Sequence, residues 1–288
     1  MKKTAALLAT GLILGSSTGA STGALAADAF AALPSYRASF KMSLLKARSD
    51  ASVASADGQM FFEWKRVCGG YSYLQKSYTD YVTNEGEVQR QELTSESFES
   101  TDGTEYTFHF VDRMDGTLVE EYQGRGTLSP DGKGGLVEYS KPAPAEVELR
   151  AGTVFPTVYT LDILNAARAG KRTVSRSIFD GMGDEARYDA NAFIAKEMKP
   201  EPATPFDDMI DPKGLLTGHR SWNVDIAFYT DTTSDGLPDY EMSARFYDNG
   251  VTTDLTFNYG DIQMKGDLER IEPVVDETCG RAPKKPAK

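Results

Sequence analysis

Tyr36-Arg-Ala-Ser-Phe-Lys-Met-Ser-Leu44 decides the fold class, because Tyr36, Ala38, Phe40, Met42 and Leu44 share one parity and polar residues fill the other. A period of two gives an extended strand one dry face and one wet face. The rhythm returns at Trp222, Val224, Ile226 and Phe228, and again at Leu255, Phe257 and Tyr259. Between Thr104 and Met114, Tyr106, Phe108 and Phe110 stand against Glu105, His109 and Asp112. Turn pairs punctuate these segments: Asp57-Gly58, Asp102-Gly103, Asp115-Gly116, Asp131-Gly132, Asp180-Gly181, Asp235-Gly236 and Asn249-Gly250. Such pairs supply the positive φ angles of tight hairpins. Antiparallel sheet follows.

One segment breaks the pattern. Pro156 to Ala169 places Val158, Leu161 and Leu164 at helical spacing, with Pro156 in the first turn and Gly170-Lys171-Arg172 as a stop. A long sheet cannot stay flat. The predicted architecture is therefore all-β with one central α-helix at about 156–169, a many-stranded antiparallel β-spiral or open barrel whose mouth the helix plugs. Lys196 to Gly218 holds four prolines and reads as an irregular loop, longer than a bare connector needs.

The start of the chain has the pattern of an export signal. Lys2-Lys3 is a basic n-region, Ala5 to Leu14 an apolar core, and Ala24-Leu25-Ala26 a small-x-small cleavage site. Residues 1–26 are read as a signal peptide, 27–280 as one β-spiral domain and 281–288 as a disordered basic tail. With cleavage near Ala26, the expected location is the periplasm. Of 288 residues, 40% are hydrophobic and 26% charged, which excludes intrinsic disorder. The formal charge of −12 becomes more negative once Lys2 and Lys3 are removed. That sign argues against nucleic acid or anionic lipid as the main partner. No apolar run after the signal is long enough for a membrane-spanning helix.

Cys68 and Cys279 are the chain's two cysteines. In an oxidising compartment the default is a bridge between them, the alternative being two buried thiols. A weak calcium-loop candidate runs from Asp231 through Asp235 and Asp239 to Glu241, with Gly236 at the turn position, but Met242 stands where the bidentate Glu belongs. The competing reading is a hairpin between the Trp222 strand and a Tyr240–Tyr247 strand. His109 and His219 are the only histidines, and no G-x-S-x-G elbow accompanies them. No dinucleotide or P-loop fingerprint occurs, so no cofactor is expected and no catalytic residue is assigned. Tyr71, Tyr73, Tyr78 and Tyr81 offer contact area and hydroxyls, with packing as the more ordinary use.

Several of these features resemble the EipB family of periplasmic cell-envelope integrity proteins from alphaproteobacteria. The resemblance is carried by Cys68-Gly-Gly-Tyr71, the helix with its flanks (Ala151 to Pro156, Ala169 to Arg172), and Ile178-Phe-Asp-Gly181. Phe246-Tyr-Asp-Asn-Gly250-Val-Thr-Thr-Asp254-Leu, Tyr259-Gly-Asp261, Gly266-Asp-Leu268, Ile271-Glu-Pro273 and Cys279 extend it, from about Leu33 to the end of the domain. It implies a β-spiral around a helix, a disulfide at Cys68 and Cys279, and an envelope role without established catalysis. The expected function is non-enzymatic: a scaffold or binding protein for an unidentified periplasmic protein or envelope component. The alternatives are a carrier of lipid or lipoprotein acyl chains and, behind it, a carboxylate-based hydrolase of envelope polymers. A filled interior would favour the scaffold, an apolar groove the carrier, and two convergent buried acids the hydrolase.

Overall fold

The computed structural model describes residues 33–183, 187–200, 207–230 and 236–279, so the expected signal peptide and the expected disordered tail lie outside the described residues. β1 (Tyr36–Ala47) lies in the middle of the sheet, and seven strands lead outward from it: β2 (Val53–Val67), β3 (Gly70–Thr83), β4 (Val88–Ser100), β5 (Glu105–Met114), β6 (Thr117–Leu128), β7 (Gly135–Lys141) and β8 (Ala145–Leu149). Helix α1 (Pro156–Arg168) carries the chain to the opposite edge, β9 (Thr173–Phe179). It returns through β10 (Arg187–Ile194), β11 (Ser221–Tyr229), β12 (Tyr240–Tyr247), β13 (Thr252–Asn258) and β14 (Ile262–Pro273). β14 then pairs antiparallel with β1, closing a 14-stranded sheet of order β8 to β1, then β14 to β9.

The sheet curls into a nearly closed, all-antiparallel barrel. Val154 stitches the seam between its edges: its amide donates to the Ser177 carbonyl at 3.0 Å, and its carbonyl accepts from Phe179 at 3.2 Å. Arg187 donates to the Glu148 carbonyl at 3.3 Å, and Arg150 pairs with Asp189 at 3.4 Å. Edge groups that could otherwise template another strand are thereby engaged within the chain.

The alternation read from the sequence is the alternation of burial. Tyr36, Ala38, Phe40 and Met42 are buried, as are Trp222, Val224, Ile226 and Phe228. Most of the core lies between α1 and the walls formed by β1–β3 and β9–β14. A smaller cluster joins Tyr106, Phe108, Val137 and Tyr139 to Phe155 and Phe179 beside the seam. Asp115 and Gly116, at φ 52° and 76°, form the two-residue turn between β5 and β6. Asp57-Gly58 is not a turn: it lies inside β2, where a Cβ on Gly58 would meet the Tyr78 carbonyl oxygen at 2.1 Å. Asp112 also departs from its expected face. Alternation continues from Phe110 and turns it inward, not outward with His109.

α1 begins at Pro156 and ends one residue earlier than predicted, with Ala169 as C-cap. Gly170 at φ +71° lets Lys171 donate to the Ala166 carbonyl at 2.9 Å and Gly170 itself to Ala167 at 3.0 Å. This is a Schellman stop. The 196–218 segment is not wholly irregular, because it includes a one-turn helix α2 (Asp207–Ile210) and a bridge from Met198 to Ser221. Asp211 then accepts the Leu215 and Leu216 amides at 2.7 Å each.

Cys68, in the β2–β3 turn, is disulfide-bonded to Cys279, with 5.5 Å between their Cα atoms. The intervening tail is strapped to the barrel: Val274 donates to the Ser35 carbonyl at 2.9 Å and Glu277 to the Arg66 carbonyl at 3.0 Å. The Ser35 hydroxyl donates to Asp276 at 2.5 Å. The bridge therefore clasps the end of β14 to the turn beside β1.

Candidate functional site

β4 explains why the barrel is not solid. Its inward-facing residues include Ser95, Ser97 and Glu99, too small or too polar to fill the space below α1. Facing strands supply large rings, and a cavity of about 270 Å³ remains among Trp64, Tyr73, Tyr106, Tyr159, Phe228 and Tyr240. Phe228 and Tyr240 stack at 4.2 Å between centroids, while Tyr188 meets Tyr240 edge-on at 5.8 Å. A second compartment of about 390 Å³ is lined by Met42, Met60, Tyr81, Phe110, Phe257 and Met264. Gln75 lines both compartments, and its side-chain oxygen accepts from the Tyr73 hydroxyl at 2.6 Å. The second compartment reaches the surface at Tyr259, which is 53% exposed.

Two acids enter the inner cavity. Glu99 is buried, and its carboxylate accepts the Thr157 amide at 2.7 Å and the Val158 amide at 3.2 Å. It caps the positive end of α1, a task Phe155 at the N-cap position has no side-chain oxygen to perform. Burial pushes the Glu99 carboxyl up to about 7 against the opposing pull of these amides. Asp180 follows β9, is buried, and accepts the Met182 amide at 3.0 Å; burial pushes it up to about 7 as well. The Tyr106 hydroxyl fixes this corner by donating to the Asp180 carbonyl at 2.9 Å. Burial also raises the phenols of Tyr73, Tyr106, Tyr159 and Tyr240, which stay neutral. Trp64 and Tyr159 line this cavity, and each keeps one buried polar atom, Nε1 and Oη, with no hydrogen-bond partner among the described residues.

The acids give stability a predictable pH slope. An unfolded chain ionises them near 4.5 and 3.8, the folded chain near 7. The native state thus binds more protons across that window and loses stability as pH rises through it. Unfolding free energies from urea titrations should fall over this range, by an amount on the order of a few kcal/mol. Asp180→Asn should flatten the fall, and an equal slope in that variant would contradict the assignment.

Other candidate residues are dispersed. Asp231 and Asp235 lie outside the described residues, while Asp239 accepts the Thr230 amide at 2.6 Å and Glu241 accepts from Asn258 at 2.7 Å. β11 and β12 form the alternative hairpin, and no group of three or more metal-ligating side chains occurs among the described residues. His109 contacts Glu121 at 3.1 Å and His219 contacts Asp248 at 2.6 Å, both away from the cavity. Of the four tyrosines, Tyr71 and Tyr73 line the inner cavity and Tyr81 the second compartment. Tyr78 lies on the surface, with the Arg90 guanidinium 5.1 Å from its ring centre.

The EipB-like family model matches residues 27–275, which takes in every strand and the helix. The chain belongs to this family. Among EipB-like proteins, it is 29% identical over 252 residues to the cell envelope integrity protein EipB of Brucella abortus (strain 2308), covering 87% of this chain and 88% of that one. It is also similar to the crystal structure of a β-barrel-like protein of the domain family DUF1849 from Brucella abortus, with TM-score 0.75 and 26% identity. That match covers 84% of this chain and 99% of the other. No helix among the described residues is long and apolar enough to cross a membrane.

Proposed function

We propose that this EipB-like chain is exported, loses residues 1–26, and supports cell-envelope integrity in the periplasm as a non-enzymatic protein that binds an amphiphile inside its barrel. The cavity below α1 carries this reading. Its walls are mostly aromatic and aliphatic with a few convergent polar groups, the usual make-up of a small-molecule site. The disulfide suits an oxidising compartment, and the envelope role comes from the Brucella relative's name. Leu45, Val88, Leu118, Leu237 and Tyr259 are all exposed at the strand ends shared with the second compartment. An apolar rim there suits passage of a hydrophobic chain.

A scaffold for a protein partner is the second reading, favoured by the exposed apolar rim. The hydrolase reading meets its first condition, since two buried acids line one cavity. Glu99, however, has both oxygens engaged by helix amides, which suits a cap more than a proton-transfer group. A strain lacking the gene is expected to lose viability on detergent and on cell-wall antibiotics, measured by plating serial dilutions. Wild-type survival on both would contradict the envelope role.

A further inference from the structure

Among the described residues, the cavity below α1 is lined by two carboxyl groups, Glu99 and Asp180, and by no Lys, Arg or His. No cation of the chain neutralises either acid, and burial holds both well above the usual carboxylate range. The Met182 amide occupies only Oδ1 of Asp180. Its Oδ2 has no hydrogen-bond partner among the described residues and keeps accessible surface, although the residue as a whole is buried. A buried carboxylate without a counter-charge is costly, and a cation placed beside it offsets that cost. An anionic head would instead add repulsion, and a neutral one would leave the acids uncompensated.

The aromatic walls favour the same sign of charge. Trp64, Tyr71, Tyr73, Tyr106, Phe228 and Tyr240 all line this cavity. Their planes differ: Trp64 stands at 84° to Tyr71, while Phe228 lies within 6° of Tyr240. Aromatic rings attract a cation through their quadrupoles, most strongly where water is excluded. The acceptors decide which cation fits. A primary ammonium brings three N–H donors that each need a partner. Helix amides take both Glu99 oxygens, Tyr73 takes the Gln75 oxygen, and Met182 takes Asp180 Oδ1. A fully methylated ammonium has no N–H, so a counter-charge and an aromatic shell are enough.

We propose that the cavity below α1 binds the quaternary ammonium head of an amphiphile, held by the Asp180 carboxylate and the surrounding rings. This inference rests on the amphiphile-binding reading above and specifies the head group. A volume of about 270 Å³ suits such a head with the first part of its chain.

Titration calorimetry of the mature protein at about pH 8, where both acids are mostly ionised, would compare octyltrimethylammonium, octylamine, octanol and octanoate. These share one chain and differ in the head. Octyltrimethylammonium is expected to bind at least about tenfold more tightly than any of the others. Asp180→Asn should weaken it by about tenfold and leave octanol unchanged, which separates the charge from the shape of the cavity. Trp64→Leu should narrow the ratio between the quaternary ligand and octanol by about three- to tenfold. Melting curves check that each variant folds, and the comparison of the four ligands on wild-type protein needs no variant. Octylamine, octanol or octanoate binding as tightly as octyltrimethylammonium would overturn the head-group assignment alone, as would an unchanged affinity in Asp180→Asn. Failure of all four to bind would overturn the amphiphile reading beneath it.

Discussion

Replacing Cys68 and Cys279 together by Ser is expected to destabilise the mature protein by up to about 5 kcal/mol, the loop-entropy value for this separation. The bond spans 211 positions, so without it the unfolded chain regains most of its freedom. In the folded state little changes, because the tail keeps its hydrogen bonds to Ser35 and Arg66. Each single substitution should cost as much as the double, since all three remove the same cross-link. Urea unfolding checks this, with reduced wild-type protein following the double variant. Coincident curves for oxidised and reduced protein would contradict it.

Phe155→Ala is expected to cost about 3–5 kcal/mol, the range for deleting a buried phenyl ring. Phe155 is fully buried, its ring centre 5.0 Å from Tyr106 and 6.4 Å from Phe179. Gly126 leaves room for this ring: a Cβ there would stand 3.1 Å from it. The residue also immediately precedes α1, so the loss should loosen the amides that Glu99 caps. Phe193, 48% exposed on β10, provides the contrast. Its replacement by Ala removes mainly a contact with Arg172 at 5.2 Å and should cost less than about 1 kcal/mol. Similar losses at both positions would show that the ring cluster beside the seam does not hold the barrel's edges together.

The barrel was readable in the sequence because its inner face is apolar along most strands. Tyr36 to Leu44 and Trp222 to Phe228 each show which parity is buried, and Pro156 with Gly170 brackets the helix. The site was hidden for the complementary reason. β4 is polar on both faces, so nothing local marks Ser95, Ser97 and Glu99 as inward. Asp180-Gly181 reads as a hairpin turn pair, but the structure has a bend there between β9 and β10, with a positive φ at Gly181, and the burial of Asp180 comes from neighbours far away in sequence. The resemblance to the EipB family took in Ile178-Phe-Asp-Gly181, and so included Asp180 without giving it a role. Trp64 is an ordinary strand residue until Tyr71 and Tyr159 are placed around it. Asp112 follows the alternation inward from Phe110, although its charge favours the wet face.

The amphiphile reading makes the internal space, and not the outer surface, the seat of function. Ser95→Phe would fill that space from the wall of β4 without touching the rim, the disulfide or the seam. The decisive measurement is survival on detergent of a gene-deleted strain carrying this allele, once the purified variant is shown to melt like wild type. Sensitivity equal to that of the deletion is the expected result. Full rescue by the filled barrel would contradict the account.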